Sequence, residues 1–207
     1  MWWTAGVLIL VRHGRTAANR SGLLQGHRDL PLDELGRAQA QACATAVDAG
    51  VPVITSPLER AVATGRAINP DVTIDERWIE FDYGEYDGLP ISELPPGTWD
   101  SWHRNTSFAP PGGESLLDLD RRVRAACEDI RPIATERDVV VVSHVGPIKS
   151  AVAWALDVGV EISWRCHLDV ASLCRIEFTQ RGPMLRSFND TAHLRDLDLT
   201  GAPTALP

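Results

Sequence analysis

Short apolar strands alternating with helices predict a three-layer α/β/α sandwich with a mainly parallel sheet and an antiparallel edge. Three observations carry this. Val7-Leu8-Ile9-Leu10-Val11 and Val139-Val140-Val141-Val142 are unbroken apolar runs of strand length, the pattern of strands buried on both faces. Glu114 to Thr135 carries Leu116, Leu117, Leu119, Val123, Ala126, Cys127 and Ile130 near the helical period. Ala171 to Phe178 and Met184 to Phe188 flank Gln180-Arg181-Gly182-Pro183 and read as a terminal hairpin.

The remaining elements follow in order. After strand 7–11, a polar loop reaches Asp33, a natural N-cap for a helix over 34–48 that Gly50 and Pro52 help to stop. Val51 to Thr55 is a second strand, and Ser56-Pro57 supplies an N-cap and first-turn proline for a helix over 57–68. Val72-Thr73-Ile74 reads as a third strand, followed by an irregular aromatic and acidic segment over 77–88. The proline-rich stretch 89–113, around Trp99 and Trp102, is expected to form short helical turns acting as a lid. Strand 139–142 ends in Ser143-His144, and Pro147 begins a helix over 147–157.

With 207 residues, no repeat and no linker, the chain reads as one domain over 1–195 with a poorly ordered tail at 196–207. A formal net charge of −8 argues against nucleic-acid and anionic-membrane partners, which are held by clustered Lys and Arg. No stretch approaches the roughly 18 apolar residues of a membrane span, and Met1-Trp2-Trp3-Thr4-Ala5-Gly6 lacks the pattern of a signal peptide, so a cytoplasmic protein is expected. Cys43, Cys127, Cys166 and Cys174 have no C-x-x-C spacing and read as reduced core thiols. The histidines outside the strand ends, His27, His103, His167 and His193, show no metal-ligand spacing, so no metal is expected. A homo-oligomer is left open.

In a doubly wound sheet, strand ends far apart in sequence converge at the carboxyl edge. Here those ends supply Arg12 and His13, then Arg60, then His144. Two arginines and two histidines at one edge make a phosphate pocket: guanidinium forks neutralise phosphate oxygens while imidazole attacks phosphorus.

These residues stand within a longer ordered set. The set comprises Val11-Arg12-His13-Gly14-Arg15-Thr16 with Asn19, Gln25-Gly26, Asp29-Leu30-Pro31-Leu32 with Gly36, and Ser56-Pro57-Leu58-Glu59-Arg60-Ala61 with Thr64. It continues through Glu80-Phe81-Asp82-Tyr83-Gly84, Pro111-Gly112-Gly113-Glu114-Ser115, Val142-Ser143-His144 and Asn189-Asp190-Thr191-Ala192-His193-Leu194. In this the chain resembles the histidine phosphatase superfamily, in its phosphoglycerate mutase-like branch. The resemblance implies that His13 is the nucleophile that becomes phosphohistidine. Arg12, Arg60 and His144 would hold the phosphoryl oxygens, Asn19 would orient the group, and Glu80 would be the proton donor. The matching positions Gln25, Gly26, Tyr83, Glu114, Ser115 and Val145 are expected around the substrate, a small phosphorylated metabolite. The implied cycle requires neither metal nor organic cofactor.

Some assignments keep an alternative. Asp82, two residues from Glu80, competes for the acid role because alternate strand residues share a face. Glu114 and Ser115 read equally well as a helix N-terminus, and Lys149 as a helix-surface lysine. Val145 stands where the family often has glycine, which leaves the local pocket shape open. Mutases of the family carry a lysine where this chain has Ile91, and a longer basic insertion where 89–113 offers only Arg104. A mutase must retain an acidic bisphosphorylated intermediate, so the expected activity is a phosphatase, ahead of mutase-type phosphotransfer and of a non-catalytic phosphate-binding module.

Overall fold

The computed structural model describes residues 6–197. Residues 1–5, read above for a leader, and all but the first two residues of the expected tail lie outside the described residues.

Strands β1 (Val7–Arg12), β2 (Val53–Thr55), β3 (Val72–Ile74), β4 (Val139–Ser143), β5 (Leu173–Thr179) and β6 (Gly182–Asp190) form one sheet in the order β3-β2-β4-β1-β5-β6. The first four are mutually parallel. β5 runs antiparallel to both β1 and β6, which gives the expected antiparallel edge.

Alternation along the central strands splits the interior into two cores. Leu8, Leu10, Val139 and Val141 face a core shared with Trp78, Phe81, Leu119, Val123 and Ile148. Ile9, Val11, Val140 and Val142 face a second core shared with Cys43, Val53 and Ala61. The helices sort accordingly. After the short α1 (Ala17–Arg20), α2 (Glu34–Ala44) and α3 (Glu59–Ile68) cover the second core. Following α4 (Thr98–Arg104), α5 (Leu116–Glu136) and α6 (Val145–Ala155) cover the first. Among the described residues no helix is long and apolar enough to cross a membrane.

Among the boundaries that differ from the sequence reading, those of three helices have a local reason. Helix α2 is capped by Asp33, whose carboxylate accepts from Gly36 N–H, but it ends at Ala44, well short of residue 48. There the Thr45 hydroxyl donates to the Ala42 carbonyl and draws it from the helical ladder. Helix α3 is capped at Leu58 without a side-chain bond, because Ser56 is held against His144. Helix α6 begins at Val145, ahead of Pro147, which sits within the first turn where an N–H has no intrahelical partner to lose.

The segment 89–113 holds a 3₁₀ turn, Ile91–Glu93, and helix α4. Its anchor is Trp102, 2% exposed within the first core and packed edge-to-face on Phe81, Tyr83, Tyr86 and Phe108. Trp102→Ala is expected to cost about 3–5 kcal/mol of unfolding free energy in urea titration, the range for deleting a buried aromatic side chain. A loss under about 1 kcal/mol would show that the segment is not tied to the core.

Candidate active site

Sheet register brings the distant residues together. Arg12 pairs with Ser143 across β1 and β4, so His13 and His144, the next residues on each chain, emerge side by side. Their rings lie 5.0 Å apart between centroids. The pairing of Thr55 with Val142 brings Ser56 alongside, its N–H donating to the Val142 carbonyl. Arg60 enters from the first turn of α3 and is completely buried.

Hydrogen bonds fix both tautomers. His13 Nδ1 is 2.7 Å from the Gly14 carbonyl, which can only accept, so Nδ1 carries the proton and Nε2 keeps its lone pair. Arg60 Nε, an obligate donor, is 3.3 Å from His144 Nδ1. His144 therefore carries its proton on Nε2 and donates it to Ser56 Oγ at 2.7 Å. Burial, reinforced by Arg60 and its neighbours, holds both imidazoles well below the usual histidine pKa, so both are neutral.

The arginines are oriented by backbone. Arg12 Nη1 donates to the Leu168 carbonyl at 2.6 Å, while its Nε is buried without a partner. Arg60 donates to the Gly26 carbonyl through Nη2 and the Arg28 carbonyl through Nη1. Each Nη keeps its second hydrogen for other use. Burial lowers both pKa values, that of Arg12 to about 10, and both remain charged at neutral pH.

Glu80, 4% exposed, lies on the loop after the 3₁₀ turn Glu76–Trp78. Its Oε1 accepts from Phe81 and Gly146 N–H and its Oε2 from Val145 N–H, so the carboxylate sits on the N-terminus of α6. Burial raises its pKa against the opposing pull of those N–H groups and of Arg60 and Arg12. Arg122 fixes the loop: it donates to the carbonyls of Arg77, Ile79 and Glu80 while forming a bidentate pair with Glu114. Sequence reading overlooked Arg122, since a helical arginine carries no local signal of its distant partners.

The other expected residues divide. Gln25 Oε1 accepts from Thr16 Oγ1, and its buried Nε2, like Arg12 Nε, has no partner. Such orphaned donors cost free energy unless an acceptor arrives. Asn19 uses its Oδ1 to accept from Thr16 N–H in the capping box of α1, leaving its amide nitrogen. The Gly26 carbonyl holds Arg60. Tyr83 forms cavity wall, and burial raises its pKa so that the phenol stays neutral.

Glu114 and Ser115 are placed in supporting roles: Glu114 pairs with Arg122 and accepts from Asp82 N–H, and Ser115 caps α5 in a capping box with Asp118. Asp82 accepts from Gly84 N–H and lies 3.7 Å from His27, and shares none of the N–H donors that hold the Glu80 carboxylate. Val145 gives its N–H to Glu80 and its side chain to the cavity wall; the close approach demanding glycine falls at Gly146, where a Cβ would stand 2.7 Å from Glu80 Oε1. The buried thiols of Cys43 and Cys174 are pushed up to about 12 and about 11, leaving them protonated and inert.

Beside the histidine cluster lies a cavity of about 650 Å³ whose walls include Tyr83 together with Phe81, Val145 and Gly146, whose backbone holds Glu80. Lys149 faces it, its Nζ donating to the Ser163 carbonyl, and burial lowers its pKa. It is not the surface lysine that its helical position allowed.

The profile of the histidine phosphatase superfamily (branch 1) matches residues 8–191. The chain is 38% identical over 198 residues to a bifunctional protein of Mycobacterium tuberculosis, covering 90% of this chain and 54% of that protein, so it spans about half that relative's length. It is 32% identical to phosphoserine phosphatase 1 of Hydrogenobacter thermophilus over 90% of this chain and 93% of that one. Among solved structures, a mycobacterial glucosyl-3-phosphoglycerate phosphatase complexed with VO3 superposes with a TM-score of 0.82 at 27% identity, covering 90% and 100% of the two chains. A phosphoserine phosphatase of Entamoeba histolytica in complex with 3-phosphoglyceric acid gives 0.84 at 26% identity, covering 91% and 98%.

Gly146→Ala tests the packing under Glu80. The added methyl meets both Glu80 Oε1 and Leu119 Cδ1 inside contact distance, so a loss of about 1–3 kcal/mol is expected in denaturant titration, as for overpacked interiors. Unchanged stability would mean that the carboxylate is free to withdraw.

Proposed function

Because the chain belongs to the histidine phosphatase superfamily (branch 1), we propose that it hydrolyses a small phosphorylated metabolite through a phosphohistidine on His13. The observation that carries the reading is the tautomer of His13: Nδ1 is tied to the Gly14 carbonyl and the neutral Nε2 stands free beside buried arginines. That is the state of an imidazole able to attack phosphorus.

The phosphoryl group enters between Arg12 and Arg60 and accepts from their remaining Nη hydrogens, with the amide nitrogen of Asn19 completing the set. His144, with its two ring nitrogens held by Arg60 and Ser56, keeps the Arg60 guanidinium in place against the phosphoryl group. His13 Nε2 attacks in line while Glu80 protonates the departing oxygen. The P–O bond to the leaving group breaks as the N–P bond forms. Glu80, now ionised and steadied by three backbone N–H groups, accepts a proton from the water that attacks phosphohistidine, and inorganic phosphate leaves. Charge neutralisation is assigned to the arginines, and no step is routed through a metal. The relatives and structural neighbours named for phosphoserine and glucosyl-3-phosphoglycerate support a small phosphorylated substrate. A cytoplasmic setting accords with that chemistry.

His13→Ala is expected to lower phosphate release by at least about 10³-fold and to abolish acid-labile, alkali-stable labelling from a ³²P-phosphomonoester, with circular dichroism unchanged. Wild-type turnover in that variant would remove His13 from the reaction. Glu80→Gln is expected to slow alkyl phosphates about 10²-fold or more and p-nitrophenyl phosphate much less, since a good leaving group needs little protonation.

The pH profile has a worked sign. His13 must be unprotonated, and its lowered pKa extends activity below the usual histidine range. Glu80 must be protonated, and its raised pKa extends activity above the usual glutamate range. A bell for kcat/KM on the acid side of neutrality is expected, with its alkaline limb altered in Glu80→Gln; an optimum well above pH 8 would reverse the acid assignment.

A further inference from the structure

The large cavity borders Glu80 and leaves the phosphate box aside: its walls include Phe81, Val145 and Gly146, all of which donate N–H groups to the Glu80 carboxylate, whereas Arg12, His13, Arg60 and His144 lie outside them. In an in-line displacement the group that protonates the leaving oxygen stands on the leaving-group side. The cavity is thus where the rest of the substrate must lie.

Its chemistry is particular. The walls carry the indoles of Trp99, Trp102 and Trp164, with His103 packed 4.5 Å from Trp164 between centroids. The charged wall residues are Lys149 and Arg165, with no carboxylate among them, in a chain whose formal net charge is −8. Lys149 gives one hydrogen to the Ser163 carbonyl and retains two. The indole nitrogens of Trp102 and Trp164 and Ser163 Oγ are buried away from the cavity, so these walls present mainly ring surface and the open donors are those of Lys149 and Arg165. A site that joins such cations to aromatic surface is matched by a broad apolar ring bearing an anionic acceptor. At about 650 Å³ the space also far exceeds a three-carbon leaving group.

Resting on the phosphatase reading above, we infer that the cavity is a leaving-group subsite for phosphomonoesters whose alcohol joins a flat ring to a carboxylate. The tryptophan walls cover the ring, and Lys149 determines specificity by binding the carboxylate. Three-carbon phospho-acids would leave most of the aromatic wall uncovered.

The test uses 4-carboxybenzyl phosphate, benzyl phosphate, O-phosphoserine and 3-phosphoglycerate, all esters of primary alcohols and none of a phenol, so no member has an activated leaving group. Wild type is expected to show kcat/KM at least about tenfold higher for 4-carboxybenzyl phosphate than for each of the others, a preference of about 1.4 kcal/mol. Lys149→Met is expected to reduce the carboxybenzyl-to-benzyl ratio by about tenfold, through KM, while Trp164→Ala weakens both ring substrates. A preference for phosphoserine or 3-phosphoglycerate, or an equal loss on both benzyl esters in Lys149→Met, overturns the inference. Tryptophan fluorescence titration with the alcohol 4-(hydroxymethyl)benzoate separates the two readings. Quenching that Lys149→Met weakens, in a protein that releases no phosphate, upholds the subsite and removes the phosphatase. Absence of quenching removes the subsite whatever the turnover.

Discussion

The parallel pairing of β1 with β4, with Arg12 opposite Ser143, is the constraint on which the rest of the site depends. It is held by two rows of side chains on opposite faces, Leu8, Leu10, Val139 and Val141 on one and Ile9, Val11, Val140 and Val142 on the other. A slip of one residue along either strand would interchange the faces of its whole set and separate the two histidines. Core packing on both sides of the sheet therefore sets the His13–His144 distance, and the paired Thr55 and Val142 extend the same register to Ser56.

Convergence has an electrostatic cost. Two guanidinium groups are drawn out of water beside two imidazoles: burial lowers the proton affinity of all four, and the guanidinium charges lower that of the imidazoles further. The imidazoles respond by staying neutral, and the guanidinium groups, with far higher intrinsic pKa values, stay charged. Backbone carbonyls of Leu168, Gly26 and Arg28 offset part of that penalty and aim the forks. A dianion entering this set gains attraction from charges already desolvated and oriented, which is the condition under which fixed donors act most strongly.

Much of this was legible in the chain, and its limits are physical. Apolar runs and helical spacing located the sheet and the main helices, because burial on one or two faces writes a period into the sequence. His13, Arg12, Arg60 and His144 were legible as a set, since each follows a strand or opens the next helix. The division of labour around Glu80 was not. Arg122 lies on α5 at an ordinary helical position, yet reaches carbonyls more than forty residues away in sequence. Glu114 belongs to a motif suggestive of the pocket but serves that arginine, and Lys149 reaches the 3₁₀ segment Val160–Arg165, where its Nζ donates to the Ser163 carbonyl. Such partners are chosen by tertiary packing and leave no local trace.

Glu80 joins these parts, and its setting suits the proposed role of a carboxyl group that first gives and then takes a proton. Burial favours the neutral acid, ready to protonate a leaving oxygen; three N–H groups, two of them from the first turn of α6, favour the anion once that proton has gone. The opposing terms narrow the gap between the two states, which is what reversible proton transfer near working pH requires. The same arrangement directs the substrate. In the proposed reaction, with the α6 N-terminus already occupied by a carboxylate, an incoming phosphate would be left the arginine donors, and the leaving group would lie toward the aromatic cavity whose wall holds Glu80. Arg122 and Gly146, neither of which enters the proposed chemistry, govern both outcomes by fixing where that carboxylate sits.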